Sequence, residues 1–156
     1  PSVITYSAAI SACQKCRRWE EAWAMLETAE ALRLEVDRVM YSATISACVS
    51  GRQWQRALQL FTELRRRGLG WDAAACNAAI SACEKAGNWH RALGLLAAMA
   101  TARLDPDVVS HNAAISACEK AARWPLALDL LSRMHCAGLK SDIVSCNAGI
   151  SACEKA

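Results

Sequence analysis

Ile10-Ser11-Ala12-Cys13 returns unchanged as Ile45-Ser46-Ala47-Cys48, Ile80-Ser81-Ala82-Cys83, Ile115-Ser116-Ala117-Cys118 and Ile150-Ser151-Ala152-Cys153, each copy 35 residues after the last. A tetrapeptide that keeps its step through 156 residues without an insertion is the mark of stacked supersecondary units. Trp19, Trp54, Trp89 and Trp124 keep the same step, and so do Asp37, Asp72, Asp107 and Asp142. The period divides a single array, residues 1–156, into units 3–37, 38–72, 73–107 and 108–142, with 143–156 supplying the first helix of a fifth.

Each unit reads as two helices. Tyr6, Ile10 and Cys13 lie at i, i+4 and i+7, one apolar stripe on a helix A that the spacing places at about 5–16. Trp54, Ala57, Leu58, Phe61 and Leu64 form the matching stripe of helix B. Small Ser-Ala-Cys beside large Trp, Leu and Phe suits close antiparallel helix packing, so the four tryptophans and the repeated cysteines are expected in the core. Gly87-Asn88 is suited to end one helix and cap the next, while Gly68, Gly138 and Pro106 mark the joints after helix B. Because the joints repeat, the same rotation recurs at each and the array must coil. The expected fold class is therefore all-α, an α-α solenoid of helix-turn-helix repeats.

Composition closes off other classes. At 54% apolar and 21% charged the chain is not of disordered composition, and its apolar stretches are broken before they reach the length a bilayer requires. The nine cysteines are odd in number, and five recur at one repeat position. That is the signature of a packing requirement, and free thiols are expected. Cys13 and Cys16 make a lone Cys-x-x-Cys pair in a helical stretch, too few ligands for a structural zinc site. Neither a deaminase-type His, Glu and Cys-x-x-Cys set nor an acid cluster for divalent metals is evident, so no enzyme activity, cofactor or metal is expected. The net charge of +3 is mild, with the first unit net negative and the second the most basic. Basicity therefore says little about the partner.

A tetratricopeptide repeat also folds as two helices, but its period is 34 and its Trp-x-x-Leu-Gly-x-x-Tyr pattern is missing here. The run 112–121, Asn-Ala-Ala-Ile-Ser-Ala-Cys-Glu-Lys-Ala, and the run 124–134, Trp-Pro-Leu-Ala-Leu-Asp-Leu-Leu-Ser-Arg-Met, resemble instead the two helices of the pentatricopeptide repeat. Asp142 stands where that motif usually closes. The resemblance runs from Val3 to Ala156 and implies a right-handed superhelix that binds single-stranded RNA in a mitochondrion or plastid, one base per repeat. Single strands leave their Watson–Crick edges free for a few side chains presented at a regular spacing.

Carried over position by position, the resemblance implies that the base-reading pairs are Ser7 with Asp37, Ser42 with Asp72, Asn77 with Asp107 and Asn112 with Asp142. Asn147 begins a pair that the sequence does not complete. Asn offers donor and acceptor, Ser a rotatable hydroxyl, and ionised Asp accepts only. Taken singly, each of these residues beside a helix start also reads as a cap. In the family's code Ser with Asp resembles a guanine reader and Asn with Asp a uracil reader that tolerates cytosine, which gives 5′-GGUU-3′. Ile4, Val39, Ala74, Val109 and Val144 stand where the family wedges an aliphatic side chain between bases. Lys15, Lys85, Lys120 and Lys155 stand where it approaches phosphates, and Ser50 departs from that pattern. The resemblance places the chain in an RNA processing, editing or stability factor, against the alternative of a protein-binding helical-repeat scaffold. Apolar residues near both ends of the sequence, Val3, Ile4 and Tyr6 at one and Ile150 and Cys153 at the other, predict end-to-end self-association.

Overall fold

A computed structural model of the chain describes residues 2–154, apart from the side chains of Val144 and Ala152. The described residues form helices and turns, with no strand among them. Helix A of successive units is α1 (Val3–Lys15), α3 (Arg38–Ser50), α5 (Ala73–Ala86), α7 (Val108–Lys120) and α9 (Ile143–Glu154). Helix B is α2 (Trp19–Ala31), α4 (Trp54–Arg66), α6 (Trp89–Thr101) and α8 (Trp124–Cys136).

The turns repeat as strictly as the helices. Between A and B one residue in each unit takes a left-handed backbone: Arg17, Arg52, Gly87 and Ala122, with φ of 57°, 61°, 69° and 56°. The amide after it reaches back to the carbonyl of the repeated cysteine, as in Arg18 to Cys13 (2.9 Å), Asn88 to Cys83 (2.9 Å) and Arg123 to Cys118 (2.8 Å). This Schellman-type bond satisfies a carbonyl that the helix end would leave open. After helix B the same geometry falls on Arg33, Gly68, Arg103 and Gly138. Asn88 caps α6 by accepting from the Arg91 amide at 3.1 Å, which joins the ending and capping roles of Gly87-Asn88. Helix α1 begins two residues before the expected start because the Ser2 side chain caps it.

The chain divides into two compact units, Pro1–Ala82 and Cys83–Ala156, with the division inside α5. In the first, α1 packs on α2 and α3, α2 on α3, and α3 on α4. In the second, α6 packs on α7, α7 on α8 and α9, and α8 on α9. The repeated isoleucines at 10, 45, 80 and 115 are fully buried, as are Phe61, Leu64, Met99 and Met134. Cys48, Cys83 and Cys118 are fully buried and Cys13 nearly so. All nine cysteines are free thiols. Burial pushes the thiols of Cys48, Cys83 and Cys118 up to about 11. Burial and the neighbouring Asp72 carboxylate raise that of Cys76 to about 12.

One core expectation needs correction. Trp19, Trp54 and Trp89 are half-buried and Trp124 is 40% exposed, so the tryptophans are neither core residues nor equivalent. Each opens its helix B, at the helix end and beside the preceding turn. Trp19 lies against Gly51, where an added Cβ would come within 2.1 Å of the indole, and the Arg56 guanidinium stands 5.0 Å from its ring. Arg123 lies 4.8 Å from the ring of Trp89. Trp23 and Trp71, outside the series, are half-buried. Cys153 departs from the other repeated cysteines in being exposed together with Ile150, as the apolar surface expected there requires, and the two line an open apolar recess with Leu128 and Leu131 of α8.

Candidate nucleic-acid interface

The residue that closes one unit is the N-cap of the next helix A. Asp37 accepts from the Met40 amide at 2.9 Å, Asp72 from Ala75 at 2.8 Å, Asp107 from Ser110 at 2.9 Å and Asp142 from Ser145 at 2.9 Å. Capping holds each carboxylate at the mouth of a helix, where the macrodipole also favours its charge. A cap uses one oxygen of the carboxylate and leaves acceptor capacity for a second group.

In two units that group is the expected reading residue. The Ser42 hydroxyl donates to Asp72 Oδ1 at 3.3 Å, across 30 residues of sequence. Arg38 Nε lies 3.9 Å from the other oxygen, Oδ2. Asn112 Nδ2 donates to Asp142 Oδ2 at 3.0 Å, again across 30 residues. The capping aspartate and the candidate reading residue thus form one arrangement. Ser42 spends its only proton on Asp72 and presents lone pairs, whereas Asn112 retains one N–H and acceptor capacity on its oxygen. Ser42 is nearly buried, at 5% exposure, and Asn112 is half-buried.

The first pair differs. Ser7 is half-buried on α1 and Asp37 exposed, and no hydrogen bond joins them among the described residues. Asn77 is half-buried on α5 in the first compact unit, and Asp107 caps α7 in the second. Asn147 is exposed on α9.

Three residues before each candidate reader, on the same helix face, stands the expected wedge. Ile4, Val39 and Val109 are 80%, 49% and 56% exposed, and Ala74 is exposed as well. Apolar side chains this open beside a polar pair fit a stacking role better than a core role. The Val144 side chain lies outside the described residues. Of the phosphate candidates, Lys15 is exposed in the last turn of α1. Lys85 and Lys120 both approach Glu84, Lys85 at 3.6 Å and Lys120 in direct contact with Oε1. Their charge is therefore partly neutralised within the protein. Lys155 lies outside the described residues. Arg65, Arg66 and Arg67 are exposed on and just after α4, as a solvated face requires, but Arg66 and Arg67 are tied to Glu63.

Sequence reasoning overlooked two contributors. Glu84 accepts from the Ser116 hydroxyl at 3.2 Å, and Glu119 from Ser151 at 2.8 Å, so the serine of the repeated tetrapeptide ties one helix A to the next. Ser145 contacts Asn112 Oδ1 and lies 3.0 Å from Asp142 Oδ1. The signal for the first was the Glu-Lys that follows Cys83 and Cys118. Among the described residues, no group of three or more His, Cys, Asp or Glu is placed to hold a metal ion.

A pentatricopeptide repeat domain model matches residues 59–121, and a single-repeat model matches residues 4–31, 39–69 and 109–139. The chain belongs to the pentatricopeptide repeat family. The fold of this pentatricopeptide repeat chain is similar to that of the maize protein PPR10, with 27% identity and a TM-score of 0.69 over 97% of this chain and 22% of that one. PPR10 in complex with an 18-nt psaJ RNA element gives a TM-score of 0.81 at 23% identity, with the same coverage of both chains. The PPR domain of Arabidopsis thaliana protein-only RNase P 1 in complex with tRNA gives 0.86 at 13% identity, over 94% of this chain and 78% of that one. The chain thus spans 22% of the length of PPR10. A search of curated protein sequences returned no match.

Proposed function

We propose that the chain is a sequence-specific single-stranded RNA-binding module that reads one base per repeat as a single array. The observation that carries this reading is the direct hydrogen bonding of Ser42 to Asp72 and of Asn112 to Asp142, 30 residues apart in sequence and beside exposed aliphatic side chains. A solvated outer surface has no need to pair the same two positions in separate repeats. The RNA-bound state of PPR10, whose fold this chain shares, supports the same reading. A hydroxyl presenting lone pairs suits the N1–H and amino group of guanine, and an amide with one free N–H and one free acceptor suits uracil. The proposed target is 5′-GGUU-3′, with Ser7, Ser42, Asn77 and Asn112 reading in order.

The parent protein is proposed to act in RNA processing, editing or stability in a mitochondrion or plastid. A fluorescent fusion of the full-length protein that enters neither organelle overturns that placement. The open recess beside Ile150 and Cys153 supports end-to-end association with a second copy, which sedimentation across a concentration series would detect as a rising mass.

The test of RNA reading is a gel-shift series at moderate salt with 5′-GGUU-3′ against scrambled strands. Preferential, salt-weakened binding of the matched strand is expected, because phosphate contacts add affinity without choosing the base. Equal binding of matched and scrambled strands overturns coded recognition and leaves the protein-binding scaffold as the better account.

A further inference from the structure

We propose that Ser145 is a positioning residue that locks the Asn112 amide in one orientation and thereby sharpens the fourth repeat for uracil over cytosine; this rests on the RNA-reading function proposed above. An asparagine amide has two ends of opposite character, and turning it over exchanges donor for acceptor. Asp142 Oδ2 takes one N–H of Asn112 at 3.0 Å. The Ser145 hydroxyl, fully buried, stands between Asp142 Oδ1 and Asn112 Oδ1 and contacts both. Its single proton lies between two acceptors, so the amide oxygen is held from one side and the amide nitrogen from the other. Asp142 sets which end of the amide faces it, since reversal would bring the Asn112 oxygen against the carboxylate, and the bond to Ser145 holds the amide against turning away.

The consequence for recognition follows from the base edges. Uracil presents an N3–H donor flanked by two carbonyl acceptors, whereas cytosine presents an N3 acceptor beside an amino donor. An amide free to turn over can satisfy either pyrimidine. A pinned amide retains one fixed order of donor and acceptor, and the binding site becomes a poorer match for the base that needs the other order.

The sequence carries the same association. Asn77 and Asn112 are each followed 33 residues later by a serine, Ser110 and Ser145, whereas Ser7 and Ser42 are followed at that distance by Met40 and Ala75. A hydroxyl reader rotates to suit its neighbours and has no amide to orient. The serine thus accompanies the reader that has two ends to fix.

The experiment measures the uracil-to-cytosine affinity ratio at the fourth base, by fluorescence anisotropy with the 156-residue chain and strands differing only there. In Ser145→Ala the ratio is expected to fall about threefold, the weight of one modest hydrogen bond, with thermal stability and the guanine preference at the second base kept. Grafting gives the converse: Ser42→Asn with Ala75→Ser should favour uracil over cytosine at the second base about threefold more than Ser42→Asn alone. An unchanged ratio in Ser145→Ala, in a chain that still selects pyrimidine over purine at the fourth base, overturns the role of Ser145 alone. No base preference at any position in the unaltered chain overturns the RNA-reading function, and the inference with it.

Discussion

The pairs Ser42–Asp72 and Asn112–Asp142 occupy one register two repeats apart, yet each is held in its own way. Asp72 receives both its cap and Ser42 on Oδ1, and Ala75 contributes only its backbone amide. Asp142 divides the work, Oδ1 to Ser145 and Oδ2 to Asn112, and Ser145 adds a hydroxyl. The surface between helices B diverges likewise. A cavity of about 520 Å³ in the first compact unit is lined by Glu27, Glu30 and Tyr41, and one of about 390 Å³ in the second has Ala97, Ala100 and His111 at the positions 70 residues on. In the first, the Tyr41 hydroxyl donates to Glu30 at 2.7 Å, and Arg67 joins Glu30 to Glu63. In the second, the His111 Nδ1–H donates to the Asp107 carbonyl at 2.9 Å, and apolar walls face the space. The interior barely changes between units while the pairs and grooves do, as expected where packing is common to every repeat and recognition is particular to each.

The core half of that comparison predicts the largest effect. Ile45→Ala and Ile115→Ala, both at fully buried positions, should each destabilise by about 2–5 kcal/mol in chemical denaturation. Losses differing by more than about 3 kcal/mol, outside the usual spread for one chemistry, would show that the two interiors are unlike.

Next comes alkaline pH. The four thiols at Cys48, Cys76, Cys83 and Cys118 have folded pKa values of about 11 to 12, above the ordinary 9.0. The fold therefore prefers the protonated thiol. Its contribution is complete below about pH 9 and is lost as pH rises through 11 to 12. Thermal melting should stay level toward pH 9 and fall beyond it, and at pH 8 the exposed Cys16, Cys136, Cys146 and Cys153 should alkylate long before these four. Buried thiols that label as fast as Cys16 would contradict the packing described.

The smaller effects separate the two pairs. Asp72→Ala and Asp142→Ala should each cost about 0.5–2 kcal/mol through the lost helix cap. Base preference should vanish at the second base in Asp72→Ala and survive in part at the fourth in Asp142→Ala, because Ser145 still contacts Asn112. Competition binding reads both, and equal loss at the two bases would remove the distinction between them.

The helices and turns were legible because the period writes each of them at least four times, and the left-handed residues at 17, 52, 87 and 122 keep that step even where arginine or alanine stands in place of glycine. Tryptophan burial was not legible, since the stripe of one helix cannot reveal that Trp19 meets Gly51 in the turn of the next unit. The candidate reading pairs were legible only through family resemblance, and their bonding depends on helix caps that bring residues 30 apart together. Glu84 escaped notice because its partners Ser116 and Lys120 lie one repeat away. Ser145 escaped because a serine in the first turn of a helix reads as an ordinary local bond until Asn112 is seen above it.

The central claim is that the side chain at the reading position selects the base. Its most direct test is competition between 5′-GGUU-3′ and 5′-GUUU-3′ for the unaltered chain and for Ser42→Asn. The predicted result is an exchange of preference, guanine at the second base before the change and uracil after it, with total affinity nearly constant because no phosphate contact is touched. Equal binding of the two strands by both proteins would contradict base reading at Ser42 and Asp72.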